Sequence, residues 1–386
     1  QIFGGVYSLM KMLLTWVRPV RCPLVSVMWA QAREPQARAA AFSHKMNSQP
    51  EKLIYVDDSL PGITRKGAGK GWAYYDPDGQ LIRDSAERKR LNAIALPPAY
   101  VDCWFCPAPN GHILATGYDA KGRKQYRYHP DFRELREGEK FDKCLAFGNR
   151  LPLLRKQVVD DLALRDMGLP RALAGVVRLL DLGAIRIGND SYARDNGSYG
   201  ATTIKRHHVT VRGKTLRFRF RAKSGKQRDL ELSDTHLARI VRQMQDLDGQ
   251  DLFSFVDEDA DGGQTVRDVT SSHVNAYLRE TMGKDFTAKN FRTWHASVMA
   301  FGLLAGAKSD LTIKVVTENV AEKLGNTPAI TRKSYIHPAI FDLMERQGEW
   351  REGLQLPRKT KWLTREERGL IGFLQELPPV ADLLVA

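Results

Sequence analysis

Cysteine is scarce: 386 residues contain four, Cys22, Cys103, Cys106 and Cys144. That is too few for a disulfide scaffold in a chain this long, and the usage fits a reducing compartment. Cys103 and Cys106 form a C-x-x-C in VDCWFC. Neither the two further ligands of a zinc site nor the context of a redox motif accompanies them, so they read as buried neighbours on a strand. Long apolar runs are also missing: none reaches the roughly 18 clean residues of a membrane span. A nucleotide-cradling loop is absent too. GLLAGAKS, from Gly302 to Ser309, is one residue short of G-x-x-x-x-G-K-[ST] and sits in an apolar helical pattern, so nucleoside triphosphate hydrolysis is not expected. VDEDADGG sets Asp257, Asp259 and Asp261 ahead of Gly262 like half of a calcium loop, but Gln264 and Asp268 stand where an apolar residue and a bidentate Glu belong. It reads as a solvated acidic turn. Internal repeats and low-complexity tracts are absent.

Acid is missing from one stretch altogether. Residues 1–32, QIFGGVYSLMKMLLTWVRPVRCPLVSVMWAQA, contain no Asp or Glu, and Lys11 and Arg18 break their apolar runs. The stretch is transit-like or secretory-like in texture, with AQA resembling a small-residue cleavage site. More ordinary sequence opens at Met46. The expectation is a dispensable, poorly ordered extension over residues 1–50.

What is present in excess is positive charge. Lys and Arg number 59 against 45 Asp and Glu, a net +14. With 42% hydrophobic and 27% charged residues the chain is otherwise an ordinary globular one. The surplus favours a polyanionic partner, nucleic acid ahead of an anionic membrane surface.

From about Glu51 to Asp131 short strands alternate with turn signals. WAYYDPDGQLI is a hairpin candidate around Asp76-Pro77-Asp78-Gly79, SAERKRLNAIA a helix from near Ser85, and VDCWFC and HILATGYD a strand pair. In GRKQYRY, Tyr126 and Tyr128 lie two apart and share a strand face. From about Phe132 apolar residues recur at helical spacing. HHVTVRGKTLRFRFRAKSGKQRDLELS interrupts this with three strands and turns at Gly213 and Ser224-Gly225. Its middle strand points Leu216, Phe218 and Phe220 one way and Arg217, Arg219 and Arg221 the other. The arginine face is either a solubilising edge or a surface for a nucleic-acid backbone. Helices return at SDTHLARIVRQMQDL, TSSHVNAYLRETMG and NFRTWHASVMAFGLLAG. TREERGLIGFLQEL opens with a capping box at Thr364 and Glu367.

Four stretches, GAIRIGNDSY, FRAKSGK, NFRTWH and LGNTPAITRKSYIHP, supply Arg186, Lys223, Arg292, Asn326 and Tyr335. Singly each has a bland explanation; as an ordered set they are specific. Over roughly Glu51 to Arg346 the chain resembles the type IB DNA topoisomerases of the compact bacterial and poxvirus kind. GRKQYRY matches that family's DNA-clamping motif, and R-x-G-N at Arg186 its first catalytic arginine. Lys223 matches the catalytic lysine, Arg292 the second arginine, and Tyr335 falls at the nucleophile. Asn326 departs from the histidine of poxvirus G-H-T-P: it can donate a hydrogen bond to a phosphoryl oxygen but brings no charge.

The resemblance implies an ATP- and metal-independent cycle. A phenol of pKa about 10 must lose its proton to attack a phosphodiester. Arg186 and Arg292 stabilise the charge that builds on the non-bridging oxygens, Asn326 adds a neutral donor, and Lys223 protonates the departing 5′ oxygen. A 3′-phosphotyrosyl link keeps the bond energy while the free strand swivels and then attacks back. Two arginines do the work that a metal pair does elsewhere, so no cofactor is expected. Arg123 and Lys124 would meet phosphates, Gln125, Tyr126 and Tyr128 would approach the major groove, and Tyr192 joins this DNA-binding set.

The expected fold is α+β: a small β-rich N-terminal domain plus a larger, mainly α catalytic domain with a three-stranded sheet. Its expected division is 1–50 extension, 51–131 DNA clamp, 132–350 catalytic and 351–386 helical tail. The expected partner is double-stranded DNA, gripped by a monomeric clamp in the cytoplasm at the nucleoid, with no membrane. The alternatives are a tyrosine recombinase, which uses a similar arginine, lysine and tyrosine set, and a non-catalytic DNA-binding protein.

Overall fold

The computed structural model describes residues 52–69, 71–258 and 261–377. The expected extension, Cys22, Asp259 of the acidic turn and the last nine residues of the tail lie outside them. All the described residues belong to one compact unit, Lys52–Ala386.

The first layer is a five-stranded antiparallel sheet of β1 (Ile63–Ala68), β2 (Gly71–Tyr75), β3 (Val101–Phe105), β4 (Ile113–Tyr118) and β5 (Lys124–Tyr128), in the order β2-β1-β3-β4-β5. Helix α1 (Ser85–Ala93) packs on it. Tyr74 meets Phe105 edge-on at 5.4 Å within a core that includes Ile63, Leu91 and Leu96. Each such buried side chain stabilises by about 1.5–3 kcal/mol. The expected Asp76–Gly79 turn forms, with the Asp76 carboxylate accepting from the amides of Asp78 and Gln80. No return strand follows it. Leu81 makes only a single bridge to Tyr75, and β2 pairs with β1 instead. The reason is local: Asp84, three residues later, already accepts from Ala86 and Glu87 as the N-cap of α1. Cys103 and Cys106 are buried beside this layer, and burial pushes both thiols up.

β5 runs into the long helix α2 (Pro130–Leu162), started by the His129 side chain and by Pro130 in its first turn. Phe141, Cys144, Phe147, Leu151, Leu154, Val158 and Leu162 recur at three- and four-residue spacing and are buried. Around that stripe stand α3 (Leu169–Gly183), α4 (Asp190–Asn196), α5 (Thr235–Gln245), α6 (Ser271–Met282), α7 (Ala288–Gly306), α8 (Ile313–Leu324), α9 (Pro328–Ser334), α10 (Ala339–Leu343), α11 (Gln347–Gly353) and α12 (Arg365–Gln375). α2 and α7 approach closely at Gly148, where a Cβ would lie 2.3 Å from the Trp294 ring. The P-loop-like run falls at the end of α7, as its apolar pattern suggests.

The expected three-stranded sheet is β6 (Val209–Arg212), β7 (Thr215–Arg221) and β8 (Gln227–Ser233). Leu216, Phe218 and Phe220 of β7 are buried in the main core, and its arginines face outward. Asp229 across the strand pairs with Arg217 and Arg219, so that row is partly self-neutralised and Arg221 alone of the three reaches the cleft described below. A small hairpin, β9 (Ser254–Glu258) and β10 (Gln264–Asp268), carries Asp257 paired to Arg267. The capping box at Thr364 and Glu367 is present. Glu367 has a second task there. Buried, it joins Asp181 in holding Arg155 and accepts from Trp294 Nε1, tying α12 to α2, α3 and α7. Among the described residues no helix is long and apolar enough to cross a membrane.

Candidate active site

Arg186, Lys223, Arg292 and Tyr335 line a single cleft of about 1220 Å³, together with Arg123, Gln125 and Tyr192. Each arrives there by local chemistry. Helix α3 ends at Ala184 in the left-handed conformation (φ 48°), which releases the chain into R-x-G-N. Residues 200–202 then strap that segment, with Ala201 N–H on the Arg186 carbonyl and Thr202 N–H on that of Ile187. Gly188 at φ +100° is required, since a Cβ would sit 2.9 Å from the hydroxyls of Thr202 and Thr203. Asn189 caps α4, which presents Tyr192. Lys223 opens the β7–β8 turn, where Ser224 (φ 63°) and Gly225 (φ 73°) reverse the chain.

Gly-Asn-Thr-Pro joins the remaining two groups. Gly325 (φ 64°) ends α8, Thr327 caps α9 by accepting from Ile330, and Pro328 occupies its first turn. Asn326 is thereby buried between two helix ends. Its amide oxygen accepts from Arg186 Nη2, while its Nδ2 has no protein partner. The carboxamide is thus oriented with an unused donor. Tyr335 forms the C-cap of α9, its ring 5.0 Å from the Arg292 guanidinium carbon.

Arg292 is 4% exposed and donates to the carbonyls of Ala184 (2.5 Å) and Leu324 (3.0 Å), at the ends of α3 and α8. Helix C-termini are favourable places for a cation. Burial and then the charge of Arg186 push its guanidinium below the usual value; an arginine nevertheless keeps its charge. Burial by itself would push the Tyr335 phenol up. Arg292, by its charge and by a hydrogen bond, and then Arg186 and Lys223 outweigh that, and the net direction is down. A tyrosine held by three cations is chemically suited to lose its proton.

The six expected DNA-binding residues divide. Arg123, Gln125 and Tyr192 line the cleft, whereas Lys124, Tyr126 and Tyr128 alternate onto the other face of β5. There Tyr126 and Tyr128 stack at 5.8 Å and Lys124 pairs with Asp58 at 2.7 Å. Two residues that sequence reasoning missed stand out. Asp119 holds both Arg123 (2.7 Å) and Gln125 (3.1 Å), and those contacts, the Arg123 hydrogen bond first, draw its carboxyl down to about 2. Lys140 of α2 lines the cleft and donates to the Ser334 carbonyl. Only Asp119 had a sequence signal, its place in a turn four residues before Arg123. Among the described residues no group of three His, Cys, Asp or Glu side chains is placed to hold a metal ion.

The family described as "Eukaryotic DNA topoisomerase I, catalytic core" matches residues 129–352, more than half of the chain. "Bacterial DNA topoisomerase IB, N-terminal domain" matches residues 71–119. Among curated proteins the chain is similar to the DNA topoisomerase 1B of Acanthamoeba polyphaga mimivirus, 29% identical over 301 residues, covering 75% of this chain and 90% of that one. Two solved complexes of the XerH site-specific recombinase, one with difH in the pre-cleavage state and one with palindromic difH in the post-cleavage state, overlap 50% and 60% of this chain and 50% and 61% of theirs. Their identities are 13% and 14% and both TM-scores 0.32, too loose a likeness to carry any inference.

Proposed function

The chain belongs to the type IB DNA topoisomerases, isomerases that relax DNA, and from that premise we propose that it does so through Tyr335. The phenol oxygen attacks a backbone phosphorus as its proton leaves to solvent. The bond to the 5′ oxygen breaks, Lys223 gives that oxygen a proton, and the 3′ phosphate stays on Tyr335. Arg186, Arg292 and the free Nδ2 of Asn326 take the charge that develops on the two non-bridging oxygens. The cut strand swivels, its 5′ hydroxyl returns its proton and attacks the phosphotyrosine, and Tyr335 is regenerated. No bond energy is lost, so ATP is not consumed. The chain works as a monomeric clamp on nucleoid duplex, with Arg123 on phosphate and Gln125 toward base edges from the cleft, while Lys124, Tyr126 and Tyr128 flank the duplex from the outer face of β5.

The observation that carries this is the convergence on one cleft of Arg186, Lys223, Arg292 and Tyr335, whose sequence order gives no reason for them to meet. Supercoiled plasmid incubated without ATP or magnesium tests it. Stepwise relaxation, abolished in Tyr335→Phe while DNA binding persists, is the expected result. Exchange between two sites would instead indicate a recombinase, and bound but unchanged plasmid a non-catalytic binder.

A further inference from the structure

Lys140 is a half-buried amine that the reaction as proposed does not use. It lies on α2, ten residues beyond the start of that helix, and its Nζ donates to the Ser334 carbonyl at 2.9 Å. The same Nζ sits 4.2 Å from the centroid of the Phe141 ring, and the side chain forms part of the cleft wall. Desolvation lowers its affinity for a proton, while Glu137, Tyr335 and Cys144 act the other way. Withdrawing an ammonium from water is costly unless its donors are used, so the site calls for a reason.

The reason lies in which carbonyl it holds. Helix α9 is only seven residues long, and the last carbonyls of any helix lack intrahelical partners. The Ser334 carbonyl belongs to the peptide that supplies the backbone nitrogen of Tyr335. Beyond that peptide the chain leaves helical geometry, with Tyr335 at φ −133° and ψ −38°. On the far side of the residue, Ser297 Oγ of α7 donates to the Tyr335 carbonyl at 3.4 Å. The backbone of Tyr335 is therefore pinned before by α2 and after by α7, and the tighter tether is the lysine.

We propose that Lys140 is a positioning residue for the reaction, fixing the peptide ahead of Tyr335 so that the phenol oxygen stands at attack distance. It would act through Tyr335 and not on the phosphate, and the inference rests on Tyr335 being the nucleophile. A displacement of about 1 Å at a reacting atom can cost about 100-fold in rate. Single-turnover strand cleavage at saturating enzyme is the measurement, with duplex affinity measured alongside. Lys140→Met is expected to slow cleavage about 10- to 100-fold and to leave the Kd for duplex within about threefold, since the amine contacts no recognition residue. Lys140→Arg, which can still reach the carbonyl, should recover most of the rate. Should the methionine variant not fold, Lys140→Gln, shorter and uncharged, carries the same expectation. Wild-type cleavage in both the Met and Gln variants overturns the inference, as does a loss of rate matched by an equal loss of DNA affinity, or a failure of Arg to improve on Met. Tyr335→Phe in parallel separates the two ideas: if it still cleaves, the nucleophile assignment fails, whereas if it is inert and Lys140→Met is not slowed, only the role of Lys140 does.

Discussion

The two walls of the cleft treat their cations differently. On the helical wall, Arg292 is held by the carbonyl ends of α3 and α8 and Arg186 by the Asn326 amide; among the described residues neither they nor Lys223 is in an ion pair. On the sheet wall, Arg123 is bound to Asp119, and on the outer face of the same strand Lys124 is bound to Asp58. Neutral partners orient a guanidinium and leave its charge to be met by substrate. Carboxylate partners cancel it until something displaces them. The helical wall is built to stabilise charge that appears during a reaction, and the sheet wall to exchange partners when a duplex arrives.

Breaking the helical wall should have the largest effect. Arg186→Ala or Arg292→Ala is expected to lower the single-turnover cleavage rate by about 100- to 1000-fold, with duplex affinity changed little. A loss confined to binding would erase the distinction between the walls. The next effect is on pH dependence. The lowered phenol of Tyr335 predicts a cleavage rate that rises with pH and levels off below the ordinary tyrosine pKa of about 10. Arg292→Gln removes the strongest lowering influence, so the inflection should move upward and the penalty be greatest at neutral pH. An unmoved inflection would mean that Arg292 does not tune the phenol. The smallest effect belongs to the sheet wall. Asp119→Asn frees Arg123, and duplex affinity should rise about two- to fivefold, the modest scale of an exposed pair. The affinity should also fall more steeply with salt, by about one unit of log–log slope for one more phosphate contact. Weaker binding would show that Asp119 aims Arg123 and does not merely restrain it.

Much of the helical wall was legible because its signals are local. Gly325 for the left-handed stop, Thr327 for the cap and Pro328 for the first turn each do at their own position what their chemistry dictates. The alternation of β7 placed Arg221 correctly for the same reason. That alternation also bears on β5: if Tyr126 and Tyr128 share a face, Gln125 lies on the other, and the structure separates them accordingly. What was not legible depends on distance along the chain. Lys140 and Ser334 are 194 residues apart, and nothing in an amphipathic helix marks which lysine will meet a helix end. β2 had two possible antiparallel partners, and the competing cap at Asp84 decided between them. Glu367 was recognisable as a capping residue, but its burial against Arg155 and Trp294 required the packed helices.

The account stands on where the covalent bond forms. Quenching the enzyme with denaturant during reaction with a duplex nicked just downstream of the cleavage site should trap the adduct, because the short 5′ strand diffuses away. Peptide mapping is predicted to find the 3′-phosphoryl nucleotide on Tyr335. An adduct on any other residue, or relaxation with no adduct at all, would contradict it.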